Sequence, residues 1–188
     1  MNKEMLAKKI YEKAHLIGSF KLRSGLISNE YFDKYLFESN PEILSELAIM
    51  MKDMVPEDSE LLAGLEMGGI PIATAISISS GKECIFVRKQ EKSYGTCKLA
   101  EGSDFVGKKV CIVEDVVTTG GQIIKCVKEL RERGANIDTV ICAILRNNEA
   151  IEILKKEGLE LRYAFSLDYL KQGTPFPSEI HHSADMQL

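Results

Sequence analysis

Two carboxylates stand directly before a turn of small and hydroxyl-bearing residues near the middle of the chain. Glu114 and Asp115 follow the apolar run 110–113, and the turn 118–121 reads Thr-Thr-Gly-Gly. Such a turn, placed before a helix, offers backbone N–H groups, two hydroxyls and the positive end of the helix dipole, which together suit a phosphate. Carboxylates accept hydrogen bonds from a diol, so the segment predicts a ligand with both a phosphate and a ribose. An ordinary strand-to-helix turn with two solvated acids is the alternative.

A group of cations follows another apolar run. Arg88, Lys89 and Lys92 come after residues 84–87, and Gly95 lies in the same segment. An isolated charge run is usually a solvated loop, but this one starts at the carboxyl end of a predicted strand, where ligands bind in open α/β sheets. We expect a mobile lid whose cations neutralise an anionic ligand.

Side chains that suit a small anionic base occur in two further places. Tyr31 and Phe32 offer an aromatic wall, although core packing is the commoner role for either ring. Arg146 follows the apolar run 140–145, and a guanidinium there could bind carboxylate or carbonyl oxygens. A surface arginine that ends a strand is the alternative.

The acidic segment resembles the phosphoribosyl pyrophosphate (PRPP) motif of the type I phosphoribosyltransferases. The resemblance covers residues 113–121, Val-Glu-Asp-Val-Val-Thr-Thr-Gly-Gly. It implies that the acid pair holds the ribose hydroxyls and that the turn holds the 5′-phosphate. The PRPP-binding residues implied in this segment are Glu114, Asp115, Val116, Val117, Thr118, Thr119, Gly120, Gly121 and Gln122.

Two further segments resemble PRPP-binding parts of the orotate phosphoribosyltransferases. Residues 88–95, Arg-Lys-Gln-Glu-Lys-Ser-Tyr-Gly, are similar to the catalytic loop, and residues 64–71 are similar to the pyrophosphate loop. Tyr94 stands where the family usually has His, and Gly68 where many members have Lys. The resemblance implies PRPP contacts from Arg88, Lys89, Lys92, Tyr94, Met67 and Gly68, and catalytic roles for Lys92, Asp115 and Glu114.

The resemblance extends to the base side. Residues 20–33 are similar to the Phe-x-Leu-x-Ser-Gly-x-x-Ser-x-x-Tyr-x-Asp signature that covers the base, and Arg23 stands where the family often has Lys. Leu145 stands where an Asp usually precedes the orotate-contacting Arg. The implied orotate-binding residues are Thr118, Arg146, Tyr31, Phe32 and Arg23.

Alternating strands and helices must position these segments. Continuous apolar runs, which are typical of strands covered on both faces, occur at 61–64, 84–87, 110–113, 140–145 and 163–167. Helical patterns occur at 3–17, 41–54, 70–78, 123–130 and 150–156. We expect Pro71 in the first turn of the third of these helices and Gly134 as the C-cap of the fourth. A loop is expected over 18–37.

This alternation predicts an α/β chain with a central parallel sheet flanked by helices. The resemblance implies the type I phosphoribosyltransferase fold with an N-terminal hood. We expect a single domain over residues 1–188. It would comprise hood helices and base loop at 1–58, a PRPP-binding core at 59–170 and an irregular tail at 171–188.

Composition excludes several other classes of protein. The chain has 188 residues, of which 45% are hydrophobic and 28% charged, with a net charge of −4. These values argue against a disordered chain and against a protein that coats nucleic acid. Neither a signal peptide nor a membrane-spanning run is visible. The five cysteines, an odd number without a CxxC pair, fit no zinc site or disulfide framework and point to the cytoplasm.

The resemblance implies an orotate phosphoribosyltransferase, a pentosyl transferase of pyrimidine (UMP) biosynthesis. It would convert orotate and PRPP to orotidine 5′-monophosphate and pyrophosphate, with Mg²⁺ held mainly by PRPP and water rather than by protein residues. The expected partner is a second copy of the chain, in a homodimer with shared active sites, and neither nucleic acid nor a membrane is expected. A transferase for another nucleobase and a non-catalytic PRPP-binding regulator remain as alternatives.

Overall fold

The computed structural model describes residues 1–22, 24–88 and 99–172. In chain order the elements are α1 (Lys3–Ala14), β1 (His15–Lys21), β2 (Ile27–Phe32), α2 (Lys34–Glu38), α3 (Pro41–Lys52), β3 (Leu61–Leu65), α4 (Glu66–Ser80), β4 (Glu83–Val87), β5 (Ala100–Gly102), β6 (Lys109–Val117), α5 (Gly121–Glu132), β7 (Asn136–Leu145), α6 (Glu149–Lys156), β8 (Glu160–Ser166) and α7 (Leu167–Gln172).

A six-stranded sheet in the order β5-β4-β3-β6-β7-β8 forms the centre of the molecule. The five strands predicted from apolar runs are all present, and they pair in parallel. The prediction of a central parallel sheet is confirmed for these five strands, and a sixth strand, β5, lies beside β4 and runs antiparallel to it. Strand β5 is only Ala-Glu-Gly, so its sequence lacks the branched apolar pattern of a strand.

Two apolar layers cover the sheet, one on each face. On one face, Ile112 and Val140 pack with residues of α5 and α6 such as Val127 and Leu154. On the other face, β6 and β7 pack against α4 and the helices of the hood, residues 1–58. This burial on both faces explains why the core strands read as continuous apolar runs.

The hood differs from the sequence prediction. Helix α1 ends at Ala14, and the segment expected to be a loop over 18–37 contains the end of β1, the whole of β2 and most of the short helix α2. Strands β1 and β2 pair antiparallel with a register shift between Ile17 and Phe20. Gly25, at φ 88°, supplies the left-handed residue of the hairpin turn.

Helix boundaries around the core agree with the predictions except at α4. Gly134, at φ 96°, follows α5 as the predicted glycine stop. Helix α4 begins at Glu66, directly after β3, so Pro71 lies inside the helix rather than in its first turn. The helix thus starts within the segment that resembles the pyrophosphate loop.

Candidate active site

The carboxyl ends of four neighbouring parallel strands bring the predicted site segments to one edge of the sheet. Strand β3 leads into the segment at Glu66, β4 into Arg88, β6 into the turn 118–121, and β7 into Arg146. The backbone N–H of Arg146 donates to the carbonyl of Val117 at 2.8 Å, which joins two of these segments. The edge is the one at which open α/β sheets bind ligands.

The Thr-Gly turn leads from the buried end of β6 into the first turn of α5. Thr118 and Thr119 are exposed, while Val117 is buried within the strand. Gly120 has φ 76°, and a Cβ built on it would lie 3.1 Å from Leu154. A glycine is therefore required where the chain turns toward the helix N-terminus, the end that favours an anion.

The two acids do not share one environment. Asp115 is fully buried against the start of α4, whereas Glu114 is partly exposed, and the two carboxyl groups lie close together. The Asp115 carboxylate accepts a hydrogen bond from the N–H of Val116 and contacts the ammonium of Lys34. Burial and the nearby charge of Asp115 raise the pKa of Glu114 well above its usual range.

Gly68 lies against Asp115 with no room for a side chain. A Cβ built on Gly68 would overlap the Asp115 carboxylate, and one built on Gly69 would overlap the carbonyl oxygen of Val113. A lysine at position 68, as in many members of the family that the sequence resembles, would not fit this arrangement. The segment begins at Glu66, a non-glycine residue at φ 53°, and this backbone conformation is unfavourable.

A cavity of about 530 Å³ lies between this segment and the end of β4, and its lining includes Glu66, Met67, Arg88 and Glu101. Met67 is 70% exposed. The side chain of Arg88 is also exposed, and its backbone N–H donates to Leu99. The predicted residues Lys89, Lys92 and Tyr94 lie outside the described residues.

A second cavity, of about 200 Å³, joins the hood to the end of β7. Its lining includes three predicted base-contacting residues, Tyr31, Phe32 and Arg146. The Arg146 guanidinium lies 5.8 Å from the centre of the Phe32 ring. Arg23 lies outside the described residues, and Thr118 stands at the adjacent end of β6. An aromatic surface and a guanidinium in one small cavity suit a planar anion.

Glu30 supplies negative charge to the same cavity and contacts His15 and Lys171. Nε2 of His15 lies 2.9 Å from a Glu30 carboxylate oxygen, and Nζ of Lys171 lies 3.8 Å from the other oxygen. The hydrogen bond with His15 lowers the pKa of Glu30. The lining of the cavity therefore carries both signs of charge, with Glu30 from the hood and Arg146 and Lys171 from later in the chain.

Two residues that sequence reasoning did not identify, Lys34 and Glu38, meet the site from α2. They stand four residues apart, at the first and last positions of the helix, so they share one face. Asp33 caps this helix through its side chain. The cap residue and the spacing of four were visible in the sequence and could have indicated a short helix with an acid and a base on one face.

Comparisons with known proteins agree with this geometry. The phosphoribosyl transferase domain family matches residues 37–168. An orotate phosphoribosyltransferase of Nocardioides sp. is 48% identical over 84% of this chain and 88% of its own length.

Solved structures give the same result. The orotate phosphoribosyltransferase of Mycobacterium tuberculosis H37Rv matches with a TM-score of 0.81 and 28% identity, over 89% of this chain and 98% of that one. The same enzyme in complex with PRPP matches with a TM-score of 0.76 and 26% identity, over 90% and 98% of the two chains. The chain therefore belongs to the phosphoribosyl transferase domain family and, within it, to the orotate phosphoribosyltransferases.

Proposed function

We infer that this protein transfers the ribose 5-phosphate of PRPP to orotate, giving orotidine 5′-monophosphate and pyrophosphate in pyrimidine biosynthesis. The observation that carries the inference is the cavity in which Arg146 and Phe32 meet, beside a strand that ends in two acids and a Thr-Gly turn. Family membership supports the same reaction.

In the proposed reaction a ring nitrogen of orotate attacks C1 of the ribose with its lone pair and releases its proton to water. The bond from C1 to the pyrophosphate oxygen breaks, and the pyrophosphate leaves with the bonding electrons. Positive charge develops on the ribose in an oxocarbenium-like transition state, so a carboxylate such as Asp115 beside the ribose stabilises it. The turn 118–121 would hold the 5′-phosphate, and Arg88 with Lys89 and Lys92 would neutralise the leaving group.

We also propose that Mg²⁺ accompanies PRPP into the site. Among the described residues, no group of three or more His, Cys, Asp or Glu side chains could hold a metal ion. The ligands of the ion would come mainly from PRPP oxygens and water, since Mg²⁺ keeps several waters and commonly binds substrate phosphates. The ion would neutralise part of the pyrophosphate charge.

We further propose a cytoplasmic homodimer with shared active sites. Cys84, Cys111, Cys126 and Cys142 are free thiols, which supports a reducing compartment. No helix in the described ranges is long and apolar enough to cross a membrane. The proposal of a dimer is based on the resemblance of residues 88–95 to the family's catalytic loop.

The deciding experiment measures consumption of orotate, uracil, hypoxanthine and adenine by the purified protein with PRPP and Mg²⁺. We expect kcat/KM for orotate to exceed that of the other bases by about 10³-fold or more, because only orotate offers a carboxylate to the Arg146 guanidinium that lines the cavity. Equal or faster use of a purine would support the alternative of another nucleobase. PRPP binding without turnover of any base would support the regulator.

Arg146→Lys tests the base site itself. Lysine keeps the charge but loses the planar, two-pronged donor, so we expect KM for orotate to rise about 10–100-fold while KM for PRPP changes little. Arg133→Lys, at the exposed end of α5, is the matched control and should leave both values unchanged. An unchanged KM for orotate in Arg146→Lys would remove this residue from the base site.

A further inference from the structure

The hood places a buried carboxyl group against the candidate active site. Glu38 is 5% exposed, and both of its carboxyl oxygens are shielded from solvent. Within the described part of the chain, neither oxygen has a hydrogen-bond donor. A buried carboxylate in this position would be strongly unfavourable if it were ionised, because nothing replaces its lost water.

Lys34, which contacts Asp115, lies one helical turn before Glu38 on the same face of α2, so the Glu38 carboxyl group lies beside that of Asp115. Two carboxyl groups can form a hydrogen bond only when one of them carries a proton. Asp115 is the member with positive partners, since it contacts the ammonium of Lys34 and accepts the N–H of Val116. The proton therefore belongs on Glu38, which turns it into a donor toward Asp115.

The packing around Asp115 leaves this carboxylate little freedom. Gly68 closes one side, because even a Cβ there would overlap the carboxylate. Lys34 covers another side, and its ammonium also lies 5.1 Å from the centre of the Tyr35 ring. A ribose that reaches Asp115 must share or displace the Lys34 contact, whereas Glu38 approaches from the buried interior of the hood.

We propose that Glu38 is a positioning residue for the reaction: it donates its carboxyl O–H to Asp115 and holds that carboxylate in the orientation that accepts the ribose hydroxyls of PRPP. The proposal rests on the proposed function for the identity of the ligand at Asp115. It does not rest on that function for the proton on Glu38, which can be tested in the protein alone.

The surroundings of Glu38 set the direction of its pH response. Burial and the charges of Asp115 and Asp33 raise the pKa of Glu38 to about 9, against the opposing effect of Lys34. Glu114 faces the same carboxylate from β6. The other elements packed on α2 are α1, α3 and α4, whose buried residues are apolar or glycine.

The sign of the stability effect follows from these values. An unfolded chain releases the Glu38 proton near pH 4.5, while the folded protein keeps it up to about pH 9. Between these values the folded state binds more protons, so the Glu38 contribution to the free energy of unfolding decreases as pH rises. Glu38→Gln removes this contribution, so its stability relative to wild type should increase between pH 5 and pH 9.

The test compares Glu38→Gln, Glu38→Ala and the control Glu132→Gln, which lies exposed at the far end of α5. Glutamine keeps an N–H donor toward Asp115, so we expect its KM for PRPP to stay within about threefold of wild type. Alanine removes the donor, and we expect KM for PRPP to rise about 10–100-fold while KM for orotate is unchanged. Glu132→Gln should match wild type throughout.

The pH profile separates positioning from a merely structural role. In wild type, loss of the Glu38 proton near pH 9 should weaken PRPP binding, measured by calorimetry, and Glu38→Gln should lack this alkaline decline. An unchanged KM for PRPP in Glu38→Ala would overturn the proposal, as would a stability difference between Glu38→Gln and wild type that is constant from pH 5 to pH 9. If wild type consumes no orotate, the proposed function fails, while urea unfolding and PRPP calorimetry still decide the role of Glu38.

Discussion

Asp115 makes polar contacts with residues of both the core and the hood. Its carboxylate accepts the N–H of Val116 from the core and contacts Lys34 from the hood, and it has no exposed surface. Asp115→Asn keeps the side-chain shape and the oxygen that accepts the Val116 N–H, but it removes the charge. We expect kcat/KM for PRPP to fall on the order of 10–1000-fold, because a charge-assisted contact to the ribose and the field at C1 are both lost.

Steady-state kinetics at saturating orotate measure this effect, and thermal melting checks that the variant is folded. Asp138→Asn is the matched control. Asp138 lies near the amino end of β7, at the opposite end of the strands from Asp115, and pairs with Lys109. Unchanged PRPP kinetics in Asp115→Asn would assign the acid pair to structure rather than to substrate binding.

At the scale of elements, the contact between the start of α4 and the end of β6 makes its own prediction. Gly68→Ala puts a Cβ where the Asp115 carboxylate lies, so either the carboxylate or the helix must move. We expect KM for PRPP to rise at least about tenfold and the free energy of unfolding to fall by about 1–3 kcal/mol, the range typical of overpacking. Kinetics and urea unfolding measure the two effects.

Ile78→Ala on the same helix is the control for Gly68→Ala. Ile78 is 83% exposed near the far end of α4, so its truncation should change neither KM for PRPP nor stability by much. Full activity with normal stability in Gly68→Ala would contradict the close packing of Gly68 on Asp115, and with it the fixed orientation of that carboxylate.

The core elements could be predicted because their residues are buried on both faces, which leaves continuous apolar runs such as Ile141–Leu145 within β7. The hairpin of the hood could not be predicted in this way. Ile17 and Ile27 are apolar yet exposed, and the register shift after Ile17 breaks the alternation that marks a strand. Helix α2 has only five residues and depends on its Asp33 cap and on the burial of Phe37, which is a tertiary effect.

The candidate site could be predicted in part because two of its residues lie near the end of one of the buried core strands. The order of strand, acids, turn and helix places Glu114 and Asp115 at the ligand-binding edge, and the structure has them there. The partners of Asp115 could not be predicted from the sequence. Lys34 and Glu38 lie about 80 residues away along the chain, and only tertiary folding brings them close to Asp115.

At the scale of the whole molecule, the hood and the core each supply part of the base cavity. Tyr31 and Phe32 come from the hood, and Arg146 comes from the core. The two parts are joined near the acid pair by Lys34, and at a distance from it by Arg162, whose guanidinium donates to the carbonyl of Met54 at 2.9 Å. The relative position of hood and core must therefore be maintained for the base and the ribose to come into contact.

The proposed homodimer makes the final prediction, which is that the segment 88–95 acts in the site of the neighbouring subunit. Lys92→Ala and Asp115→Asn should each be nearly inactive as pure dimers. Subunit exchange between them gives heterodimers with one doubly damaged site and one intact site, so random pairing predicts recovery of about a quarter of wild-type activity. A loop that serves its own chain leaves one lesion in every site, and mixing then restores nothing. Mass spectrometry must confirm the exchange, and confirmed exchange without recovery would contradict shared sites while leaving the family membership intact.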